Sequence, residues 1–302
     1  MALPAILLEH LSTMADGSDV EWEAIGDGDP LLWIEGGPGF WAHYGRADVA
    51  LFADRFRCHL VNAPGCGRTS APPTLDDYGL DAHVRFFESF RQMAGLGPLT
   101  LVGHSWGGLV AAAYAATVPE AAARLIVIDG YAGGGSVPPE VAEAERDRAF
   151  DRIRDRPWFA EALAALERAM ALDHPTEEEA VVAFDPAWPL YFAEPESTLA
   201  RSHIDRLVRE HRENVDAGRV WGERFEADDH RATIAHVSCP TLVIAGEHDF
   251  ICGPAWNRAL ADVIAGATYV EIPGVGHIPG YEDPEAFRRV VADWRGGAGA
   301  TA

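Results

Sequence analysis

Short, mostly apolar runs separated by amphipathic text set the first expectation for this chain. Leu31–Ile34, Phe56–Val61, Leu99–Val102, Leu125–Ile128, Pro240–Ala245 and Thr268–Ile272 are such runs, bounded by glycine, proline, asparagine or aspartate. Val20–Ile25 alternates apolar and polar instead, the pattern of a strand with one wet face. Between the runs, Leu80–Met93 repeats Val84, Phe87 and Phe90 at helical spacing, and an alanine-rich stretch from Leu109 to about Thr117 predicts a buried helix. Further helices are expected near Ala255–Ile264 and from about Pro284 to Trp294, the last with proline near its start. Strands that read as continuous apolar runs and alternate with helices predict an α/β fold, a mostly parallel sheet covered on both faces.

After Gly130 the pattern changes. Residues 131–236 are rich in Glu, Arg and Ala, broken at Pro157, Pro175, Pro186, Pro189 and Pro195, and contain no β-branched apolar run. The chain is therefore expected to divide into a core over residues 1–130 and 237–302, with an inserted helical cap over 131–236. The tail Gly296–Ala302 is expected to be disordered.

Composition narrows the partners. With 47 acidic residues against 24 basic ones the formal charge is −23, which repels nucleic acid and anionic membrane surfaces. The charge serves solubility and also suits a cationic substrate such as a free amine. Every basic residue is arginine, which points to a GC-rich, bacterial genome and removes P-loop, Schiff-base and Ser-Lys chemistry. Cys58, Cys66, Cys239 and Cys252 show no metal-ligand spacing and are expected as free thiols. No signal peptide is legible at Met1–Glu9, and no apolar stretch approaches the ~18 residues of a membrane span, so the expected address is the cytoplasm.

Gly103-His-Ser-Trp-Gly107 carries the chemistry. This G-x-S-x-G lies between a predicted strand and a predicted helix, the context in which it forms a sharp turn exposing the serine hydroxyl. A hydroxyl is a weak nucleophile alone and needs a base, which in turn needs an orienting acid. The chain order Ser, acid, His is met by Ser105, Asp249 just past the Leu242–Ala245 run, and His277 in the glycine-rich loop Gly274–His277. Glu247 and Asp129 compete for the acid role, and His104 and His248 are further imidazoles beside the candidates. Two N–H donors must meet the oxyanion: one from Trp106, following the nucleophile, and one from the loop Glu35-Gly-Gly-Pro-Gly39.

On Glu35-Gly-Gly-Pro-Gly39, Gly65-Cys-Gly-Arg-Thr69 and Gly103-His-Ser-Trp-Gly107, the core resembles the α/β-hydrolase superfamily and, within it, the proline iminopeptidase group. That resemblance implies an α/β-hydrolase fold with a helical cap, and Gly37 as the second oxyanion donor. It also implies cap carboxylates that grip a substrate amine, for which Glu194 and Glu223 are the candidates. Trp188, Tyr191 and Trp221 could line a pocket. Glu35 stands where the group has histidine, and Asn62-Ala-Pro64 replaces an acidic-x-Arg pattern. Glu35 could bind an amine or face a structural partner.

The reading is a serine hydrolase that cleaves an amide by acyl-enzyme chemistry, first as an aminopeptidase on small peptides or amides. An esterase, lactonase or amide hydrolase of a small metabolite is the alternative, and a non-catalytic small-molecule receptor is a third. The chemistry calls for no metal and no organic cofactor.

Overall fold

The computed structural model describes residues 8–171, 173–224 and 228–297. The N-terminal seven residues and the end of the predicted disordered tail lie outside that range. Eight strands form one sheet: β1 (Leu8–Thr13), β2 (Asp19–Ile25), β3 (Asp29–Ile34), β4 (Phe56–Val61), β5 (Leu99–His104), β6 (Ala122–Ile128), β7 (Thr241–Gly246) and β8 (Thr268–Ile272). Their order is β1-β2-β4-β3-β5-β6-β7-β8. The two N-terminal strands pair antiparallel, and every pairing from β4 through β8 is parallel.

Period-two alternation explains why the central strands read as unbroken apolar text. Leu32, Ile34, Leu99, Leu101, Val127 and Val243 face one layer of core, with Phe87, Phe90 and most of helix Trp106–Thr117. Leu31, Trp33, Val102, Ile126, Ile128, Leu242 and Ile244 face the other, with Phe52, Phe287 and Val291. Neither face of these strands is wet, so neither face carries a polar series. Helix Trp106–Thr117 begins three residues earlier than expected, because the turn at Ser105 feeds straight into it.

Over the carboxyl ends of the strands lie helices Pro139–Asp151, Phe159–Met170, Glu177–Phe184, Thr198–Glu210 and Val215–Arg224. Their own apolar cluster includes Phe150, Phe184, Trp188, Leu190 and Tyr191, and it continues onto Phe250, Ile278 and Tyr281 of the core loops. The polar text of this region is its solvent side. Asn214 ties it down: its Oδ1 accepts the Asp216 and Ala217 N–H groups, and its Nδ2 donates to the Tyr78 hydroxyl at 3.0 Å. Among the described residues no helix is long and apolar enough to cross a membrane.

Candidate active site

β5 ends at His104, and Ser105 turns the chain at φ 55°, ψ −124°, a left-handed conformation that a side chain adopts only under strain. Two bonds hold the turn: Ser105 N–H donates to the Ile128 carbonyl and Gly108 N–H to the Ser105 carbonyl, both at 2.9 Å. Gly107 is required by proximity, since a Cβ there would lie 2.3 Å from the carbonyl oxygens of Ile34 and Glu35. Gly36 is required for the same reason, its Cβ position being 2.8 Å from that of Ser105. The elbow and the Glu35–Gly39 loop are thus in direct contact.

Asp249 follows β7 and His277 follows β8, as their places in the strand order require. His277 Nδ1 lies 2.8 Å from Asp249 Oδ2, both side chains almost wholly buried. Asp249 Oδ1 also accepts the N–H groups of Ile251 and Cys252 at 2.9 and 3.2 Å. An imidazole that donates from Nδ1 keeps its Nε2 lone pair for a proton. The His277 N–H donates to the Tyr191 carbonyl at 2.9 Å, and the Tyr191 ring centre lies 5.4 Å from the imidazole. Glu282 fixes the same loop, accepting from Gly276 N–H at 2.7 Å and Ala193 N–H at 2.6 Å. Burial pushes its carboxyl up to about 8.

The other sequence candidates fall into separate places. Glu35 is fully buried, with Oε1 accepting the Ala63 N–H at 3.2 Å and Oε2 without a hydrogen-bond partner. Desolvation raises it to about 8. Glu194 is exposed and paired with Arg152 at 3.0 Å, and Glu223 is exposed on its helix. Trp188 packs at 6.0 Å from Phe40, directly after the Glu35–Gly39 loop, while Trp221 is buried 5.3 Å from Trp106 and donates to the Tyr78 carbonyl. Glu247 accepts the Gly274 N–H on the solvent side, and His248 lies beside it.

His104 sits inside the site. Its Nε2 donates to the His277 carbonyl at 2.8 Å, so its Nδ1 accepts from the Tyr44 hydroxyl, also at 2.8 Å. Tyr44 in turn accepts the Gly36 N–H. Burial, and the positive charge of a protonated His277, drive the His104 pKa down to about 3, so it stays neutral. Tyr44 had no signal in the sequence: it lies 60 residues from its partner, in no motif. Cys252 and Glu213 also escaped. The Cys252 thiol is a side-chain neighbour of the Ser105 hydroxyl. Glu213 lies in the short segment between helices Thr198–Glu210 and Val215–Arg224 that bridges to Phe40, and burial raises its carboxyl.

His104, Asp129 and His277 each offer a ligand atom within 4.8 Å of the others. Both His104 nitrogens and His277 Nδ1 are already hydrogen-bonded, so this donor set suits a proton network better than a metal ion.

Residues 29–284 match the family described as the α/β-hydrolase fold. The chain is 26% identical over 267 residues to a Klebsiella pneumoniae (strain 342) protein assigned as carbamate hydrolase RutD, covering 88% of this chain and 91% of that one. It is 27% identical over 262 residues to the proline iminopeptidase of Neisseria gonorrhoeae, covering 80% and 82%. Among solved structures, an α/β-fold family hydrolase from Bacillus anthracis superposes with a TM-score of 0.77 at 20% identity, over 96% of this chain and 100% of that one. With a strained serine elbow after β5, an acid after β7 and a histidine after β8, the chain belongs to the α/β-hydrolase fold family, whose relatives named here are hydrolases.

Proposed function

We propose that the protein is a serine hydrolase working through an acyl-enzyme. The observation that carries this is the 2.8 Å bond from His277 Nδ1 to Asp249, in a site whose serine is held at positive φ. Ser105 Oγ attacks a carbonyl carbon while His277 Nε2 takes its proton. Asp249 keeps the imidazole in the reactive tautomer and stabilises its cation. The Trp106 N–H, at the first position of its helix, and the Gly37 N–H stabilise the oxyanion. The neighbouring Gly36 N–H is engaged by Tyr44, which favours Gly37 for that role. His277 returns the proton to the leaving group, then activates water to release the acyl group.

For the substrate we infer a small peptide or amide with a free amine. The chain's charge of −23 and its likeness to a proline iminopeptidase support this. Glu213 supports it too. Its segment bridges to Phe40, directly after the Glu35–Gly39 loop, and its carboxylate lies 3.8 Å from His211 Nε2. A small-metabolite ester or lactone is the second reading. It is favoured by the exposure of Glu194 and Glu223 and by the burial of Glu35, which leave those three carboxylates unavailable to an amine in the site.

The test compares proline p-nitroanilide, its N-acetyl derivative and a p-nitrophenyl ester, with Ser105→Ala as control. Preference for the free amine, lost in the variant, is the expected result. Ester cleavage without amide turnover replaces the peptidase reading with the second. Ligand binding unchanged by Ser105→Ala, with no acyl substrate turned over, leaves a receptor.

A further inference from the structure

Asn257 stands on the inner face of helix Pro254–Val263, beside Trp256, Leu260 and Ala261, and is fully buried. A primary amide in an apolar layer is costly unless each end finds its partner. Here Oδ1 accepts the Gly130 N–H at 2.9 Å, and Nδ2 donates to the carbonyls of Cys252 at 2.6 Å and Gly253 at 3.2 Å. These partners fix which way the amide points, because its oxygen can only accept.

The three bonds join the backbones of two segments that reach the candidate site. Gly130 lies just past β6, whose end supports the Ser105 turn. The Ile128 carbonyl accepts the Ser105 N–H at 2.9 Å, and a Cβ on Gly130 would lie 3.6 Å from the Ser105 carbonyl oxygen. Cys252 belongs to the loop of Asp249, and its N–H donates to Asp249 Oδ1 at 3.2 Å. A continuous series therefore runs from Gly130 through Asn257 and Cys252 to Asp249, and on to His277 Nδ1. From the opposite side Glu145, on helix Pro139–Asp151, accepts the Ala255 N–H at 2.9 and 3.1 Å. The segment Cys252–Ala255 is thus gripped twice.

We propose that Asn257 is a positioning residue, which fixes the Asp249 loop against the strand end beneath Ser105 and so sets the span that His277 must bridge. Anchoring the helix does not need the amide. Trp256, Leu260 and Ala261 already bury that face, and an apolar side chain of similar size would pack among them. What an apolar side chain cannot do is hold two carbonyls of the acid loop and one N–H beyond β6 at once.

This role rests on Ser105, Asp249 and His277 acting as the proposed hydrolase, but its first test needs no turnover. The Nδ1 proton of His277, hydrogen-bonded to a carboxylate, should give a far-downfield proton resonance, assigned by its absence from His277→Gln. Asn257→Leu should move that resonance upfield or broaden it away. On an ester substrate, Asn257→Leu should lower kcat at least about tenfold with little change in KM. Asn257→Asp supplies the rescue. Its protonated carboxyl has one donor and one acceptor side, as the amide has, whereas its ionised form only accepts and faces two carbonyls. Its kcat relative to wild type should therefore fall as pH rises, while the ratio for Asn257→Leu stays low and flat. A lower melting temperature with the resonance and kcat unchanged would make Asn257 a helix anchor and overturn the proposal. A ratio for Asn257→Asp that does not change with pH would also overturn it. If Asn257→Leu fails to fold, Asn257→Asp decides alone. Absence of hydrolysis by the wild-type chain would instead sink the proposed function, and the resonance would then decide the positioning role by itself.

Discussion

The imidazole of His104 holds the backbone carbonyl of His277, with Nε2 and oxygen 2.8 Å apart and the two rings 4.7 Å apart. This bond joins the residue before the proposed nucleophile to the residue proposed as its base, across 173 positions of chain. With Tyr44 and Gly36 it forms one directed series of donors from the Glu35–Gly39 loop to the histidine loop. Each member has one role only, because the carbonyl at the end can only accept.

Removing a member of that series should loosen the histidine loop without touching substrate contacts. Tyr44→Phe leaves His104 Nδ1 without a donor and the Gly36 N–H without its acceptor. The expected outcome is a fall of about tenfold in kcat with little change in KM. Steady-state kinetics on the ester substrate checks it. An equal loss in KM alone would assign Tyr44 to substrate binding.

The strain at Ser105 predicts opposite effects on activity and stability. Ser105→Gly removes the nucleophile and also the side chain that resists φ 55°. Hydrolysis should fall by at least about 10³-fold, while thermal unfolding shifts upward by the equivalent of about 1 kcal/mol. Calorimetry of the two proteins reads this directly, and a variant less stable than wild type would mean that the turn is not strained.

Gly107→Ala tests the contact between the Ser105 elbow and the Glu35–Gly39 loop. A methyl group 2.3 Å from two carbonyl oxygens cannot be accommodated without moving β3 or the helix. The expected cost is about 3 kcal/mol, seen as a lower urea midpoint at unchanged m-value. An unperturbed midpoint would show that the loop yields freely.

Stability should fall as pH rises from about 6.5 to 8. Glu35, Asp48 and Glu282 ordinarily titrate near 4, but burial raises each to about 8. The folded chain therefore holds protons that the unfolded chain has already released. The stability linked to those protons is complete below pH 4 and is lost as pH climbs through 8. Desolvated histidines act oppositely but lower down: His83 and His203 are depressed to about 4 and His104 to about 3, so their effect ends by about 6.5. Melting temperatures across this range should peak near pH 6.5, and a rise toward pH 8 would contradict the burial of these carboxyls.

Much of the site was legible because its chemistry is local. Ser105 announces itself through the glycines that its turn requires, and Asp249 and His277 follow strands whose apolar runs are unmistakable. The cap carboxylates were not legible in the same way. Glu194, Glu213 and Glu223 are three acids in one acidic segment, and sequence alone favoured the two that the fold leaves exposed. Only the bridge from Glu213 to Phe40 distinguishes the third.

By itself the sequence determined the strand and helix alternation, the helical character of the stretch after β6 and the order Ser105, Asp249, His277. These depend on periodicity and on residue types at short spacing, which every stretch of chain carries with it. Tertiary structure alone decided that Asp129 is buried against the end of β7, that Tyr44 and His104 hold the His277 loop, and that Glu35 is sealed away from solvent. Those relations arise where the ends of separate strands converge, and desolvation there sets protonation. Such an environment belongs to the packed molecule and to no single segment of it.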